Sequence, residues 1–335
     1  MKIGLIGLDG KLPNLALMKL STYWQRQGAQ VFLNDAVPRD ADRVYVSVIF
    51  AKNRRKAEAL RTHFTGEVIF GGTGWDLTTI LPDEIEACRP DFALYSADEI
   101  ERRIQGGIGS RAKKRVKAEE IVTAGLGFLN RGCVRTQAAC PFCVVPSKEG
   151  PLRRVADLGE LINPASNRLI LLDNNLTAAP DGVAVLEEIA RRNLVVDITQ
   201  GIDVRLLTPE FAEALGRVKL WRSLHFAWDQ PQHEEAVRRG IGILSRYVRK
   251  GKQMCFMLVG FRSSWEEDLY RFETLVGEKV DPYVMLYNHG RHDLRLKHFA
   301  RWVNARIYKV APFEQYEPWV RDRVTYFDRG GLFAA

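Results

Sequence analysis

Short apolar runs alternate with amphipathic stretches along most of this chain of 335 residues. In the first hundred residues, the strand-like runs are 2–8, 30–34, 43–50, 67–70 and 91–95, and the helix-like stretches are 15–27 and 51–63. Such alternation favours a parallel sheet with helices on both faces, because each parallel connection needs a helical crossover. We therefore predict an α/β fold in which residues 1–100 form a Rossmann-like parallel sheet.

The alternation resumes at about residue 123 with a second series of strand-like runs. These are 126–130, 168–172, 194–199, 223–228, 254–259 and 283–287, and helical patterns occupy 183–192, 209–215, 232–250 and 265–277. Six β/α repeats are too few for an eight-stranded closed barrel, but they suit a partial, open one. We predict a partial (β/α)6 barrel at 123–300, a basic, glycine-containing linker at 101–122 and an aromatic-rich C-terminal segment at 301–335.

The chain carries a formal net charge of +8, and most of this excess is local. Residues 102–117 contain seven basic side chains and no acidic one. The rest of the chain is close to neutral, which excludes a uniformly basic nucleic-acid coat. Two interpretations of the basic segment stay open, a solvated linker or a segment that contacts phosphate groups.

Membrane insertion and export are not expected for this sequence. No apolar run has the length needed to cross a bilayer, and glycine and aspartate interrupt the N-terminal apolar stretch before a signal-peptide core forms. The five cysteines are an odd number, so a disulfide framework is not expected either. Cys88 and Cys255 have the character of small buried hydrophobic residues. We therefore expect a cytoplasmic protein.

The other three cysteines, Cys133, Cys140 and Cys143, lie within eleven residues, directly after the first strand of the second series. Clustered thiolates are soft ligands that hold zinc or an iron–sulfur cluster. A closed structural zinc site needs four ligands, and no histidine lies between His63 and His225 to supply the fourth. Three cysteines would leave one iron of a four-iron cluster free for a substrate or cofactor. The sequence therefore predicts a metal or cluster site on this loop.

The letters RGC at 131–133 and CPFC at 140–143 resemble the cluster loop of radical S-adenosylmethionine (radical SAM) enzymes. The resemblance implies that Cys133, Cys140 and Cys143 bind a 4Fe–4S cluster whose open iron chelates S-adenosylmethionine. It also implies that reduction cleaves this molecule to methionine and a 5′-deoxyadenosyl radical, which abstracts hydrogen from a substrate. The family usually has three residues between the first two cysteines, whereas this chain has six, 134–139.

The resemblance extends over about residues 120–290 and implies binding roles for polar residues at the ends of later strands. Asp173, Asn174 and Asn175 follow the second strand, where the family binds the methionine amino group. The alternative is that these three residues cap the following helix. Gln200 follows the third strand and is assigned to the same cofactor.

Further residues are assigned by the same resemblance. We predict Asp203 and Arg205 as catalytic residues, with Arg205 binding a carboxylate of the cofactor or substrate bidentately. The alternative is a structural ion pair between the two. Phe142 is similar to the family aromatic that packs on adenine, and its alternative is a core position. Gly260 follows the fifth strand, where the family backbone contacts adenine.

The N-terminal hundred residues resemble the cobalamin-binding-like Rossmann domain that precedes the barrel in one subgroup of radical SAM enzymes. The usual cobalt-ligating motif, Asp-x-His-x-x-Gly, is absent, and His63 is the only histidine in this part of the chain. We therefore do not expect cobalamin. The methylthiotransferase subfamily is excluded, because it needs three further N-terminal cysteines and this chain has only Cys88 there.

The leading hypothesis is a radical SAM enzyme of unidentified substrate with a 4Fe–4S cluster and S-adenosylmethionine. The resemblance implies a small electron-donor protein, such as a flavodoxin or ferredoxin, as its partner. A nucleic acid or nucleotide substrate fits the basic segment, and other substrates fit the rest equally well. The alternative is a cluster- or zinc-containing protein without radical chemistry. Such a protein would transfer methyl groups, carry electrons or bind nucleic acid through residues 102–117.

Overall fold

The computed structural model of the chain describes residues 1–104, 111–290 and 293–316. The chain divides into two compact units, Met1–Leu224 and His225–Ala335. This boundary falls inside the segment 123–300 that we predicted as one barrel, and the predicted domain boundaries stay a prediction. Residues 105–110 of the predicted linker and 317–335 of the predicted C-terminal segment lie outside the described residues.

The first sheet lies in the N-terminal hundred residues and is fully parallel. Its strands are β1 (Lys2–Gly7), β2 (Gln30–Leu33), β3 (Arg43–Ser47) and β4 (Glu67–Gly71), and the helices of this region are α1 (Leu15–Arg26), α2 (Arg54–Leu60), α3 (Asp83–Glu86) and α4 (Ala97–Arg103). The strand order is β2-β1-β3-β4. Helix α1 begins where its periodicity predicts, because the Asn14 side chain accepts a hydrogen bond from the Leu17 N–H and caps it. The parallel sheet predicted for this region is confirmed.

Residues 91–95, which we predicted as a strand, form turns instead. The Asp91 carboxylate accepts a hydrogen bond from the N–H of Ala93 at 2.9 Å and another from the Ser21 hydroxyl at 2.7 Å. The Asp91 carbonyl also accepts the N–H of Leu94. This local side-chain bonding competes with strand pairing, and an apolar run alone does not reveal it.

The second half of the predicted basic linker is helical. Helix α5 (Arg111–Thr123) buries Ala118 and Ile121 in a core that also contains Leu15 and Ile170. Only a few apolar positions at helical spacing are needed for this packing, and long charged residues occupy the others. That composition is difficult to distinguish from a linker in the sequence.

The second sheet positions the cysteine segment. The strands between residues 124 and 221 are β5 (Gly125–Gly127), β6 (Asn130–Arg131), β7 (Arg153–Arg154), β8 (Arg168–Leu171), β9 (Val195–Ile198) and β10 (Lys219–Leu220), and the helices are α6 (Val145–Glu149), α7 (Leu158–Leu161), α8 (Gly182–Arg191) and α9 (Pro209–Arg217). β10, β9, β8 and β5 form a parallel sheet in that order, and β6 pairs with β7 in an antiparallel ribbon. β6, β7 and β10 have two residues each, too few for any periodicity to predict them.

The second unit contains a three-stranded sheet with the order β11-β12-β13, whose first strand begins at the unit boundary. Its elements are β11 (Leu224–Ala227), α10 (Glu234–Leu244), β12 (Gln253–Val259), α11 (Trp265–Gly277), β13 (Asp281–Leu286) and α12 (Leu294–Asn304). β12 and β13 are parallel. An α/β protein with several parallel sheets is thus confirmed, whereas a partial barrel formed by the six predicted strands stays a prediction.

The remaining helical elements are short 3₁₀ turns. They are Asn34–Ala36, Ala51–Asn53, Leu176–Ala178, Val204–Leu206, Pro231–His233, Lys250–Lys252, Tyr287–Gly290, Ile307–Lys309 and Phe313–Gln315. Within the described ranges, no helix combines the length and the apolar character required to span a bilayer.

Candidate functional site

The three clustered cysteines lie on one closed loop between β6 and β7. The β6–β7 ribbon joins the two ends of the loop, and the Cys133 N–H donates to the Gly150 carbonyl at 3.2 Å. Gly132 has φ +78°, and a Cβ at this position would collide with the Pro151 carbonyl oxygen. Only glycine fits this combination of left-handed backbone and close approach, so Gly132 allows the loop to close.

The Gln137 side chain organises the part of the loop that carries the last two cysteines. Its Nε2 lies 3.4, 3.0 and 3.2 Å from the carbonyl oxygens of Cys140, Pro141 and Cys143. Its Oε1 accepts a hydrogen bond from the Ser147 hydroxyl at 2.9 Å. Gln137 belongs to the lengthened stretch 134–139, and sequence reasoning missed it because no motif marks its position.

The Cys133 sulfur receives two hydrogen bonds. The backbone N–H of Arg135 lies 3.4 Å from this Sγ, and the side-chain Nδ2 of Asn175 lies 3.6 Å from it. The structure therefore brings the predicted binding residue Asn175 into contact with the first predicted ligand.

Asn175 also carries an unsatisfied acceptor. Its side chain is 3% exposed, and its Oδ1 has no hydrogen-bond partner among the described residues. A buried acceptor without a donor costs about 1–3 kcal/mol, so such atoms are uncommon unless a ligand or water supplies the donor. Asn175 Oδ1 is therefore an acceptor beside Cys133 that is available to a donor from a ligand.

The donor set of the loop agrees chemically with an iron–sulfur cluster. Cys133, Cys140 and Cys143 are half-buried thiols on one short loop, and thiolates are the ligands that such clusters use. The thiols are not gathered, however: no group of three or more His, Cys, Asp or Glu side chains is arranged to hold a metal within residues 1–104, 111–290 and 293–316. Binding a cluster through all three cysteines therefore requires their thiols to move closer together.

Asp173 lies at the carboxyl end of β8 and is fully buried. Its carboxylate accepts the N–H groups of Leu129 at 2.7 Å and Asn130 at 2.9 Å, and the Asn130 side chain at 3.0 Å. Burial raises the pKa of Asp173, and these hydrogen bonds only partly oppose the rise. Asp173 thus anchors the segment that enters the cysteine loop and does not cap the following helix. Its predicted contact with the methionine moiety stays a prediction.

Asn174 is joined to the end of the loop through Glu149. Asn174 Nδ2 donates to Glu149 Oε2 at 2.7 Å, and the same oxygen accepts the Gly132 N–H at 3.1 Å. The other oxygen of Glu149 accepts from Arg131 at 3.2 Å. Glu149 thus connects both ends of the loop to the strand end of β8. Sequence reasoning missed Glu149, because a lone acid before a glycine carries no recognisable signal.

Asp203 and Arg205 form the ion pair that we considered as an alternative. Arg205 donates to Asp203 through Nε at 2.7 Å, and Arg135 donates to Asp203 Oδ2 at 3.1 and 3.0 Å. The Asp203 side chain is 7% exposed. Burial acts to raise the pKa of Asp203, but the guanidinium groups of Arg205 and Arg135 outweigh it and hold this pKa below its ordinary value.

Arg135, Asp203 and Arg205 form a charged trio that is joined to the cysteine loop. One carboxylate faces two guanidinium groups, so Arg135, Asp203 and Arg205 carry a net positive charge. The Arg135 backbone N–H bonds to Cys133, and its side chain bonds to Asp203. Arg135 therefore joins Asp203 and Arg205 to the cysteine loop. Sequence reasoning did not identify Arg135, although it lies two residues after Cys133. Binding of a carboxylate by Arg205 and a catalytic role for the pair stay predictions.

The remaining predicted residues, Phe142, Gln200 and Gly260, lie in three different segments of the chain. Phe142 is half-buried in the turn between Cys140 and Cys143, and Gln200 is exposed in the turn after β9. Gly260 belongs to the second unit, has φ +72° and donates its N–H to Asp268 at 3.2 Å. The roles predicted for these three residues are untested.

The two isolated cysteines are buried, as predicted. Cys88 is 5% exposed in the first unit, and Cys255 is fully buried in the second. Burial raises the pKa of the Cys255 thiol well above its ordinary value, which suits a neutral core residue.

The first sheet contacts the cysteine loop from outside. Lys148, in α6, donates to the carbonyl oxygens of Thr79 at 2.5 Å and Asp76 at 3.3 Å, both in the loop after β4. At the other end of the cysteine loop, Arg131 pairs with Glu86 in α3 at 2.9 Å. The N-terminal sheet and the cysteine loop are therefore parts of one packed unit.

Comparison with known proteins yields distant structural likenesses. No family model and no curated protein matches the sequence. The chain is similar to the crystal structure of Streptococcus suis SuiB, a radical SAM enzyme, bound to the precursor peptide SuiA, with 13% identity and a TM-score of 0.37. The match covers 74% of this chain and 65% of that one, less than two thirds of its length. A likeness of this size does not decide function, which has to be argued from the loop itself.

Proposed function

We propose that the protein is a radical SAM enzyme whose Cys133, Cys140 and Cys143 bind a 4Fe–4S cluster. The observation that carries the proposal is the closed loop with its three thiols, beside which Asn175 presents a buried, unpaired acceptor. When bound, the cluster and S-adenosylmethionine supply a 5′-deoxyadenosyl radical by reductive cleavage. The structure supports the ligand and positioning roles of the residues, and the net reaction is left to experiment.

The position of the loop in the fold supports a binding site. The loop follows β5, an edge strand of a parallel sheet, and Asn174 and Asn175 follow the neighbouring strand β8. Ligands of open α/β sheets bind outside the carboxyl ends of the strands, where several loops converge. The cysteine loop and the segment after β8 meet at this edge through the Asn175–Cys133 hydrogen bond.

The polar groups around Cys133 suit an amino acid moiety. S-adenosylmethionine carries an ammonium and a carboxylate on the same carbon, so its site needs an acceptor close to a cation. Among the residues that the structure describes, Asn175 Oδ1 is a buried acceptor without a donor, and Arg135 belongs to a trio of net positive charge. The Asn175 side chain and the Arg135 backbone N–H bond to the same sulfur, so both residues adjoin Cys133.

Other residues hold these groups in place. Asp173 fixes the chain at residues 129–130, and Glu149 joins residues 131–132 to Asn174. Preorganisation of this kind reduces the ordering cost of binding a ligand. We assign Asp173 and Glu149 as positioning residues, because their hydrogen bonds hold residues 129–132 and Asn174 in place.

Anaerobic reconstitution with iron and sulfide tests the proposal. The full chain is then supplied with dithionite and S-adenosylmethionine, and 5′-deoxyadenosine is measured by mass spectrometry. We expect product from the native chain and from Cys88→Ala, whose thiol lies outside the loop, and none from Cys140→Ala. Full iron content in Cys140→Ala would contradict the assignment of the ligands.

Further measurements on the same protein identify the alternatives. One equivalent of zinc in aerobically purified protein, without brown colour, indicates a zinc protein. S-adenosylhomocysteine without 5′-deoxyadenosine indicates methyl transfer. A cluster that forms and is reduced without consuming S-adenosylmethionine indicates an electron carrier.

A further inference from the structure

A cavity in the first unit lies between α5 and the two residues that follow β10. Its volume is about 410 Å³. Five residues of α5 and two residues after β10 line it, among them Lys113, Val116, Lys117, Glu120, Trp221 and Arg222. None of these residues belongs to the cysteine loop or its hydrogen-bond partners, so the function proposed above does not account for this cavity.

Positive charge predominates in the cavity wall. Lys113, Lys117 and Arg222 contribute three cations, and Glu120 contributes one carboxylate, which pairs with Arg168 at 2.8 Å. Arg222 also pairs with the buried Asp197 at 3.3 Å. A cavity with an excess of cations suits an anionic ligand.

Lys117 is the cation of this wall whose surroundings most favour an anion. No carboxylate pairs with it among the described residues. Burial, followed by the positive charges of Arg222 and Lys11, lowers the pKa of Lys117. A bound phosphate would relieve the repulsion between these three cations.

Trp221 and Val116 give the cavity an apolar and aromatic surface. The guanidinium carbons of Arg168 and Arg222 lie 5.4 and 5.1 Å from the centre of the Trp221 ring, within the range of cation–π attraction. These two contacts fix the orientation of the indole. Val116 is an apolar side chain between Lys113 and Lys117 on α5 and is 55% exposed. An aromatic and apolar surface beside cations matches a flat heterocycle joined to a phosphate.

Three arginines of the basic segment are paired with acidic residues. Arg102 and Arg103 pair with Glu99 within α4, and Arg115 joins α5 to α4 through Asp98 and Glu101. Lys113 and Lys117 instead line the cavity, so this part of the basic segment is more than a solvated surface.

We propose that this cavity binds a nucleotide unit of single-stranded nucleic acid, with its phosphate at Lys117 and Arg222 and its base against Trp221 and Val116. The site does not depend on the iron–sulfur cluster.

Fluorescence anisotropy with a labelled oligothymidylate tests the site in the full chain without added iron. We expect binding that weakens as salt rises, and Lys117→Gln should weaken it about 3- to 10-fold and reduce the slope of log K against log salt by about 0.7. Lys117→Arg, which keeps the charge, should retain binding. Lys56→Gln, an exposed lysine in α2 with the same charge change, should stay within about twofold of the native chain.

Trp221→Leu gives a different signature from the lysine variant. Loss of stacking should weaken binding about 5- to 50-fold at every salt concentration without changing the slope. Circular dichroism checks that this variant folds, and the Lys117 variants test the site if it does not. Competition by AMP distinguishes the two sources of the ligand. Displacement of the oligonucleotide by AMP at similar concentrations supports a free nucleotide in the same cavity, and failure of AMP to compete supports a nucleic acid chain.

Two results would overturn the inference. One is the absence of binding of both oligothymidylate and AMP below about 1 mM at low salt, where the electrostatic contribution is greatest. The other is binding by Lys117→Gln and Trp221→Leu that equals binding by Lys56→Gln, which would indicate a general charge effect. Neither result bears on 5′-deoxyadenosine formation, so the cavity and the cluster loop are tested independently.

Discussion

The side-chain amide of Asn175 donates to the Cys133 sulfur at 3.6 Å, while the oxygen of the same amide is buried without a partner among the described residues. The nitrogen contacts a predicted ligand, and the oxygen is available to a donor from outside the protein. This relationship joins the end of β8 to the cysteine loop at one residue.

Replacing Asn175 with alanine tests this division. We expect the reconstituted protein to bind S-adenosylmethionine about tenfold more weakly, equivalent to about 1.4 kcal/mol, because the acceptor for its ammonium is lost. The free energy of unfolding of the cluster-free chain should change by less than about 1 kcal/mol, since an unsatisfied acceptor is removed as well. Equilibrium dialysis and urea denaturation give the two values. Asn167→Ala, an exposed asparagine before β8, is the control. Unchanged cofactor affinity in Asn175→Ala would show that Oδ1 is not a binding atom.

Gly132 and Gly150 form a matched pair at the base of the loop. Both have positive φ, +78° and +71°, but a Cβ at Gly132 would collide with Pro151 and Gly150 carbonyl oxygens, whereas a Cβ at Gly150 meets nothing within 4 Å. Gly132→Ala should therefore lower the free energy of unfolding by about 3 kcal/mol, and Gly150→Ala by about 1 kcal/mol. Urea denaturation measures both. Equal losses would mean that backbone strain alone matters at Gly132.

Gln137→Leu should lower cluster binding by the cysteine loop more than it lowers the stability of the fold. The variant loses the contacts to three carbonyl groups around Cys140 and Cys143, but the loop is near the surface, so we expect a stability loss of about 1 kcal/mol. Iron bound per chain after reconstitution should fall below the native value. Ser147→Ala removes one bond to Gln137 and should lower iron content less. Native iron content in Gln137→Leu would show that the loop is ordered without this side chain.

Asp203→Asn should lower the free energy of unfolding at neutral pH and should make it less dependent on pH in the acid range. The native pKa of Asp203 lies below the ordinary value, so its ionised form contributes stability above about pH 4, and this is lost as pH falls through the native pKa. The variant leaves Arg135 and Arg205 without their counter-ion and should lose about 2 kcal/mol at pH 7. Unfolding followed from pH 7 to pH 3 should show a smaller difference between the native and variant chains at the acid end. A difference that does not shrink with acid would exclude ionised Asp203 as its source.

Much of the secondary structure was predictable because its signals are local. Helix α11 has the bounds that its periodicity predicted, and its N-terminus is a capping box in which Ser264 and Glu267 satisfy each other's backbone. The prediction of a strand at 91–95 was wrong, because the Asp91 side chain stabilises a turn. The helical second half of the basic segment was not predicted, because charged residues outnumber the apolar residues Ala118 and Ile121 that pack in the core. Tertiary packing of these two residues stabilises the helix.

The spacing of Cys133, Cys140 and Cys143 identified the candidate ligands from the sequence by itself, since soft ligands this close together have few other uses. The same sequence also determined the alternation that produces parallel sheets. Only the tertiary structure decided that Glu149 holds Asn174, that Arg135 joins Asp203 to the loop, and that Lys117 faces Trp221. The reason is physical. Helices and turns form between residues a few positions apart, whereas these contacts join residues 25, 68 and about 100 positions apart, and chain closure alone brings them together.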